Sequence, residues 1–458
     1  MRNLRNIGFC ILSVRRTVCI LSALAVFDVG FLFAQDYNRL SERTILGTAR
    51  YVGMGGAMSA IGGDPSSVQD NPAGLGLYRR AEILVTSNVA IDRMRQTGTG
   101  NYGARTYFFM PQVSGVISLP TPNIIGKGIQ FHNVMFSYNR LHSFNRNYEA
   151  SAYNSPSLGS LLADRGVSMG IPFGTNATNA GNHLSLTETG YVDQYSFHWA
   201  FNCIDQVYVG FGLQVQSYLW SSRAVYTEDF NEKNAEGKNY YNENKSSLVY
   251  SGAGCNFTAG VIYRPLRWLR LGVGLQTPSV GSVRMSSSGT FAAQTDSLRY
   301  SYAPDQGGPD SHFHQPLRLS TSVAFQVGAY ALMALQYNYS YARERESIHS
   351  LRAGVEVIPV MGMYINAGYA CESSFSKEDR KVPMDPSFDR QDTYYQLPAL
   401  SQYASLAVGY RGKHMICQLA YQFNWQKPRL FAHENAAMYN DLRTDTHRIV
   451  FSIGWHQN

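Results

Sequence analysis

Residues 415–425 read Met-Ile-Cys-Gln-Leu-Ala-Tyr-Gln-Phe-Asn-Trp. In an extended chain successive side chains point to opposite faces. Met415, Cys417, Leu419, Tyr421, Phe423 and Trp425 therefore share one face, and Ile416, Gln418, Ala420, Gln422 and Asn424 share the other. The pattern recurs along the chain. Val207, Val209, Phe211, Leu213 and Val215 alternate with Tyr208, Gly210, Gly212 and Gln214; Leu317 to Val327 and Met333 to Tyr341 do the same. The final segment repeats it, with His447, Ile449, Phe451, Ile453 and Trp455 on one face. Strands of this kind carry one apolar and one mixed face. In a membrane barrel the first meets lipid and the second meets the lumen.

Soluble sandwiches also alternate, so the connections have to discriminate. Six are short: Thr121–Gly128, Cys203–Asp205, Pro265–Arg267, Gly328–Tyr330, Pro359–Met361 and Arg411–Lys413. Between them lie seven that are mostly long and polar: Arg93–Ala104, Glu149–Gly190, Ser221–Ser246, Pro278–Gln315, Ala342–Ser347, Glu372–Leu400 and Gln426–Asp445. Short and long alternate throughout, as periplasmic turns and extracellular loops do in bacterial barrels. The expectation is an all-β chain: a 14-stranded antiparallel transmembrane β-barrel over residues 82–458. Val283–Tyr302 is assigned to the longest loop, since an extra strand there would make the count odd.

Composition agrees. Charged residues make up 16% of the chain and aromatics 13%, with 31 tyrosines and 41 glycines. Mean hydropathy is −0.23. Outside the N-terminus no stretch approaches the ~20 apolar residues of a spanning helix, so a helical membrane protein is excluded. Arg2, Arg5, Arg15 and Arg16 precede an apolar run, Val18–Val26, and the stretch ends Phe31-Leu32-Phe33-Ala34-Gln35. Residues 1–34 read as a signal peptide. Their removal takes four arginines and Asp28, lowering the net charge from +7 to +4; so mild a charge gives no case for nucleic acid. Cys203, Cys255, Cys371 and Cys417 show no metal-type spacing, and His312-Phe313-His314 lacks a third ligand nearby. No metal and no cofactor is expected.

Ahead of the strands, residues 35–81 carry Gly53-Met54-Gly55-Gly56-Ala57, then Gly63-Asp64, then Asn71-Pro72-Ala73-Gly74-Leu75. So many glycines do not suit a long helix, and the first strand is expected near Glu82–Ile91. Such a segment within a wide barrel is naturally a plug. This order of signal, glycine-rich segment and barrel strands resembles the FadL family of outer-membrane transporters for hydrophobic molecules. The resemblance implies an N-terminal hatch with an Asn-Pro-Ala motif near its end, matched by Asn71, Pro72 and Ala73, with Gly74 following. Gly53, Gly55, Gly56 and Asp64 match the approach to that motif. It also implies passive uptake of hydrophobic compounds such as long-chain fatty acids, coupled to hatch movement and lateral exit, by a monomer in the bacterial outer membrane.

The expected partners are a hydrophobic small-molecule ligand, outer-membrane lipid and lipopolysaccharide, and the barrel-assembly machinery. Leu158, Leu161 and Leu162, in an apolar stretch of the Glu149–Gly190 connection, are candidates for an outer capture loop. The competing reading is a FadL-like barrel acting in protein secretion or surface-protein binding. No motif supports an enzyme. A 22-stranded receptor would need a longer chain.

Overall fold

The computed structural model describes residues 39–96, 102–121, 128–152, 157–158, 180–233, 239–294, 299–302, 310–341, 347–373, 394–397, 399–431 and 440–457. Residues 1–34 lie outside them, as do Leu161 and Leu162. Among the described residues twenty strand segments form the sheet system, and 14 of them build a closed antiparallel barrel. In chain order these are β1 Glu82–Gln96, β2 Tyr102–Pro120, β3 Ile129–Ser143, β4 Gly181–Cys203, β5 Val207–Lys233, β6 Asn239–Leu266 and β7 Leu269–Gln276. Then come β8 Leu317–Val327, β9 Ala331–Tyr341, β10 Ile348–Val360, β11 Met363–Glu372, β12 Ser401–Arg411, β13 Met415–Gln426 and β14 Asn440–His456. β1 pairs with β2 on one side and β14 on the other, from Glu82↔His456 to Gln96↔Leu442. That seam leaves no open edge in lipid, as a membrane-spanning sheet requires.

Several connections expected as loops carry strand, three of them over long stretches. β5 and β6 run through the Ser221–Ser246 region to Lys233 and from Asn239. The Glu149–Gly190 connection is shortened at both ends by Arg146–Ala152 and by the start of β4 at Gly181. Val280–Gln294 is strand as well, paired with β6 from Cys255 to Tyr241. The assignment of Val283–Tyr302 to a loop is thus corrected, yet the barrel count stands, because this piece continues the course of β7 upward.

The physical reason is a change of phase. A tilted strand crosses a membrane in about 9–11 residues, whereas β6 has 28. In β5, Phe211, Leu213 and Val215 face outward and are exposed, while Gln214 and Gln216 face inward. Beyond Ser217 the preference inverts. Tyr218, Trp220, Ala224 and Tyr226 are buried inward, and Ser221, Arg223 and Thr227 point out. Below the inversion lipid receives the apolar face; above it water surrounds the wall and the apolar face turns to the interior. An apolar/polar pattern that switches phase reads locally as a polar loop.

The remaining cysteines, Cys203, Cys255, Cys371 and Cys417, are free, and Cys255 is exposed on the outward face of β6.

Candidate functional site in the barrel lumen

Residues 39–81 precede β1 and lie against the inward side chains of the wall. Local chemistry sets their course. Thr48 caps the short helix α1, Ala49–Gly53, its Oγ1 accepting from the Tyr51 N–H at 3.1 Å. Gly55 and Gly56 then take φ of +61° and +75°, a region glycine enters without steric cost, and the chain turns back on itself. A second short helix, α2 (Ser67–Asp70), leads into a 3-10 turn, Pro72–Leu77.

Asp64 organises the first half. Its carboxylate accepts from the Thr48 hydroxyl at 2.7 Å and the Ser66 N–H at 2.9 Å. The Ser66 hydroxyl in turn accepts from the Thr48 N–H at 2.8 Å. Burial pushes the Asp64 carboxyl above its usual range, against the opposing pull of Arg50 and these donors.

Asn71 is fully buried. Its Nδ2 donates to the Ser59 carbonyl at 3.1 Å and to the Val261 carbonyl of β6 at 3.3 Å, and its Oδ1 accepts from the Ala73 N–H at 3.1 Å. Pro72, at the first position of the 3-10 turn, has no N–H to satisfy there. The wall makes room for this stretch with glycines. A Cβ at Gly260 would overlap the Asn71 side chain, one at Gly274 the Asp70 carbonyl, and one at Gly210 the Pro72 carbonyl. Gly53 packs on Ala407, and Gly74 on Gly62.

Two largely buried charge pairs fix the segment to β10. Arg50 makes a bidentate contact with Glu356 of β10, both bonds 2.7 Å. Arg352, also on β10, reaches Asp70 at 3.2 Å and the Tyr51 hydroxyl at 2.9 Å, and that hydroxyl donates to Asp70 at 2.8 Å. Asn133 of β3 donates to the carbonyls of Leu75 and Tyr78.

Higher in the lumen the character changes. Leu40, Leu141, Phe144, Val192, Tyr218, Trp220, Leu248 and Tyr250 belong to one apolar cluster. Leu158, with Tyr148, Leu184, Leu186 and Tyr226, belongs to a second. Leu158 is buried and its N–H donates to Glu228 at 2.7 Å. It is therefore part of the internal packing. Phe313 sits in the first cluster, and the His314 ring contacts the Ser279 carbonyl at 3.1 Å. Among the described residues no group of three His, Cys, Asp or Glu side chains could hold a metal.

The wall itself is interrupted. β2 and β3 pair only from Gln112↔Asn139 down to Pro120↔Phe131. Above that level, β2 pairs with β1 alone and β3 with β4 alone, among the described residues. The interruption starts within the apolar band, since Phe108 and Met110 of the unpaired stretch are outward and exposed. Pro111 stands at the break. A proline cannot donate to a ladder and belongs at an edge or bulge. β3 bulges between Arg140 and His142, and Leu141, His142, Ser143 and Phe144 are all buried, so both its faces are covered there.

The N-terminal segment covers this freed portion. The Thr44 N–H donates to the Leu141 carbonyl at 2.9 Å, and Thr44 Oγ1 lies 2.9 Å from His142 Nδ1. Glu42 is 3.3 Å from His142 Nε2 and 3.1 Å from Arg39, which also pairs with Glu188. Glu42, Thr44, Leu141 and His142 were not singled out from sequence. The signal was there in Phe108-Phe109-Met110-Pro111 and Leu141 to Phe144, two breaks of alternation in adjacent strands.

No family model matches the chain, and neither does any curated protein. Among solved structures, a FadL homologue from Pseudomonas aeruginosa aligns over 90% of this chain and 98% of its own, with a TM-score of 0.56 and 12% identity. The chain has the FadL-type barrel fold. The toluene transporter TodX of Pseudomonas putida shares it, at 13% identity, TM-score 0.51 and 91% and 99% coverage. So does a deltaS2S3 mutant of the TodX monoaromatic hydrocarbon channel, at 11% identity and TM-score 0.53, covering 90% of this chain and 99% of that one. A FadL-type barrel with outward apolar strands is an outer-membrane protein.

Proposed function

We propose that this protein is a passive outer-membrane channel for hydrophobic compounds such as long-chain fatty acids or aromatic hydrocarbons. Residues 1–34 direct export, 35–81 form a movable hatch, and 82–458 form the barrel, which works as a monomer surrounded by lipid and lipopolysaccharide after insertion by the barrel-assembly machinery. The observation that carries the reading is the contact of Thr44 with Leu141 and His142 at the wall interruption. One segment lies between the apolar upper lumen and a break facing lipid. A ligand entering from above gains about 0.8 kcal/mol for each CH₂ it buries. Displacement of residues 42–44 then uncovers the break, and the ligand leaves sideways. Asn71, Pro72, Ala73 and Gly74, with Gly53, Gly55, Gly56 and Asp64, hold the rest of the hatch against the wall while this end moves. Uptake of this kind requires no catalytic group.

A secretion or surface-binding role is favoured by a different observation, the tall collar that β5 and β6 raise far beyond membrane thickness. Native mass spectrometry with lipid extraction on the purified barrel separates the two. A retained fatty acid or other small apolar molecule supports the channel. An empty barrel co-purifying with an exported protein overturns it in favour of secretion.

A further inference from the structure

The barrel seam carries a second feature at its short-turn rim, independent of the lumen. Ile83 of β1, Trp455 of β14 and Met415 of β13 are cross-strand neighbours, paired as Ile83↔Trp455 and Met415↔Trp455. All three point outward and are more than half exposed, at 59%, 53% and 51%. They form a continuous apolar strip that runs up into the lipid-facing band at Ile453.

Directly below the strip the chain turns basic. Arg80 precedes the start of β1, and Arg411 and Lys413 flank the β12–β13 turn; all three are exposed. The backbone draws these pieces together. The His456 N–H donates to the His414 carbonyl at 2.9 Å, and the Gln457 N–H to the Ala81 carbonyl at 3.0 Å. Glu82 is the acid of the group, buried and held by Arg411 at 3.0 Å. Among the described residues Arg80 and Lys413 have no carboxylate partner.

We propose that this seam binds an anionic phospholipid of the inner leaflet, its phosphate between Arg80 and Lys413 and its acyl chains along Ile83, Trp455 and Met415. Charge and shape both select this occupant. A zwitterionic lipid brings its own cation toward Arg80 and Lys413, and a soluble anion leaves the apolar strip unused. Bound there, the lipid bridges β13, β14 and β1 across the closing seam.

The test is native mass spectrometry of the full-length barrel with equimolar phosphatidylglycerol and phosphatidylcholine, for wild type and for Arg80→Gln/Lys413→Gln. The expected result is preferential retention of phosphatidylglycerol, weakened about 30-fold in the double variant, roughly fivefold for each cation. As a check that needs no variant, rising salt should erode the wild-type preference while phosphatidylcholine retention stays level. Equal retention of the two lipids by the wild type overturns the proposal. So does a preference that survives both substitutions in a correctly folded variant, or complete competition by inorganic phosphate irrespective of acyl chains.

Discussion

The lower barrel and the collar above it are built from the same strands but obey opposite rules. In the lower part of β5 the outward residues are Phe211, Leu213 and Val215, and the inward ones are Gln214 and Gln216. The interior is polar there because it holds a backbone-rich segment whose N–H and C=O groups need partners. Ser452, Gln418 and Gln336 accept from the N–H groups of Ala49, Arg50 and Ser59, and Asn133 and Gln422 donate to the carbonyls of Leu75 and Ile45. In the upper part Trp220 and Tyr226 are inside, while Ser221, Arg223 and Thr227 are outside, as in a water-soluble barrel. The contrast teaches that the solvent on each side, not the strand, decides which face is apolar. The N-terminal segment packed there is the reason the lower lumen can be polar at all.

The severest way to break this arrangement is to fill the space the wall leaves for the segment. Gly274→Val places side-chain atoms on the Asp70 backbone, which cannot withdraw without displacing Asn71. We expect loss of the folded, heat-modifiable band on electrophoresis, whereas a valine on the outward face nearby leaves it unchanged.

Next in size is the charge anchoring. Arg50→Ala strands Glu356 in a buried site and should lower stability by about 3–5 kcal/mol, most of it recovered when Glu356 is also made apolar. Denaturant titration of single and double variants measures both values. A single variant as stable as wild type would mean that the pair does not anchor the segment.

A matched pair sharpens the boundary between the two regions. Val215 and Val225 share one outward face of β5, ten positions apart. Val215→Lys lies in the lipid band and should cost about 2–4 kcal/mol, while Val225→Lys, in the collar, should cost almost nothing. Comparable losses at the two sites would put the membrane boundary elsewhere.

A smaller loss of stability than at Val215 is expected at Asn71. Asn71→Ala leaves the Ser59 and Val261 carbonyls without that donor, at a cost of about 1–3 kcal/mol, and should change uptake severalfold while the barrel still assembles. Unchanged uptake across several apolar substrates would count against a role in gating.

Much of the lower barrel was legible in the sequence. One apolar face per strand is a strong signal when lipid holds it in one phase, as in Met415–Trp425, and the turn at Gly328–Tyr330 falls between β8 and β9. The collar was hidden by the inversion after Gln216, which makes Ser221 to Ser246 look like polar loop. The approach of Asn71 to Gly260, and of Asp70 to Gly274, depends on contacts between residues some two hundred positions apart, which no local pattern encodes. The interrupted wall lay between. Pro111 and the unbroken run Phe108–Met110 mark it, but only the register of β2 against β3 shows that the two breaks face each other.

The claim at the centre of this account is that residues 42–44 must leave Leu141 and His142 for a hydrophobic compound to pass. A disulfide between Thr44→Cys and His142→Cys, in a background with Cys203, Cys255, Cys371 and Cys417 replaced by alanine, holds them together. Uptake of a radiolabelled fatty acid and of toluene into cells would be followed with and without reductant. We predict that the oxidised variant takes up neither compound and that reduction restores the rate. Undiminished uptake with the disulfide formed would contradict the account.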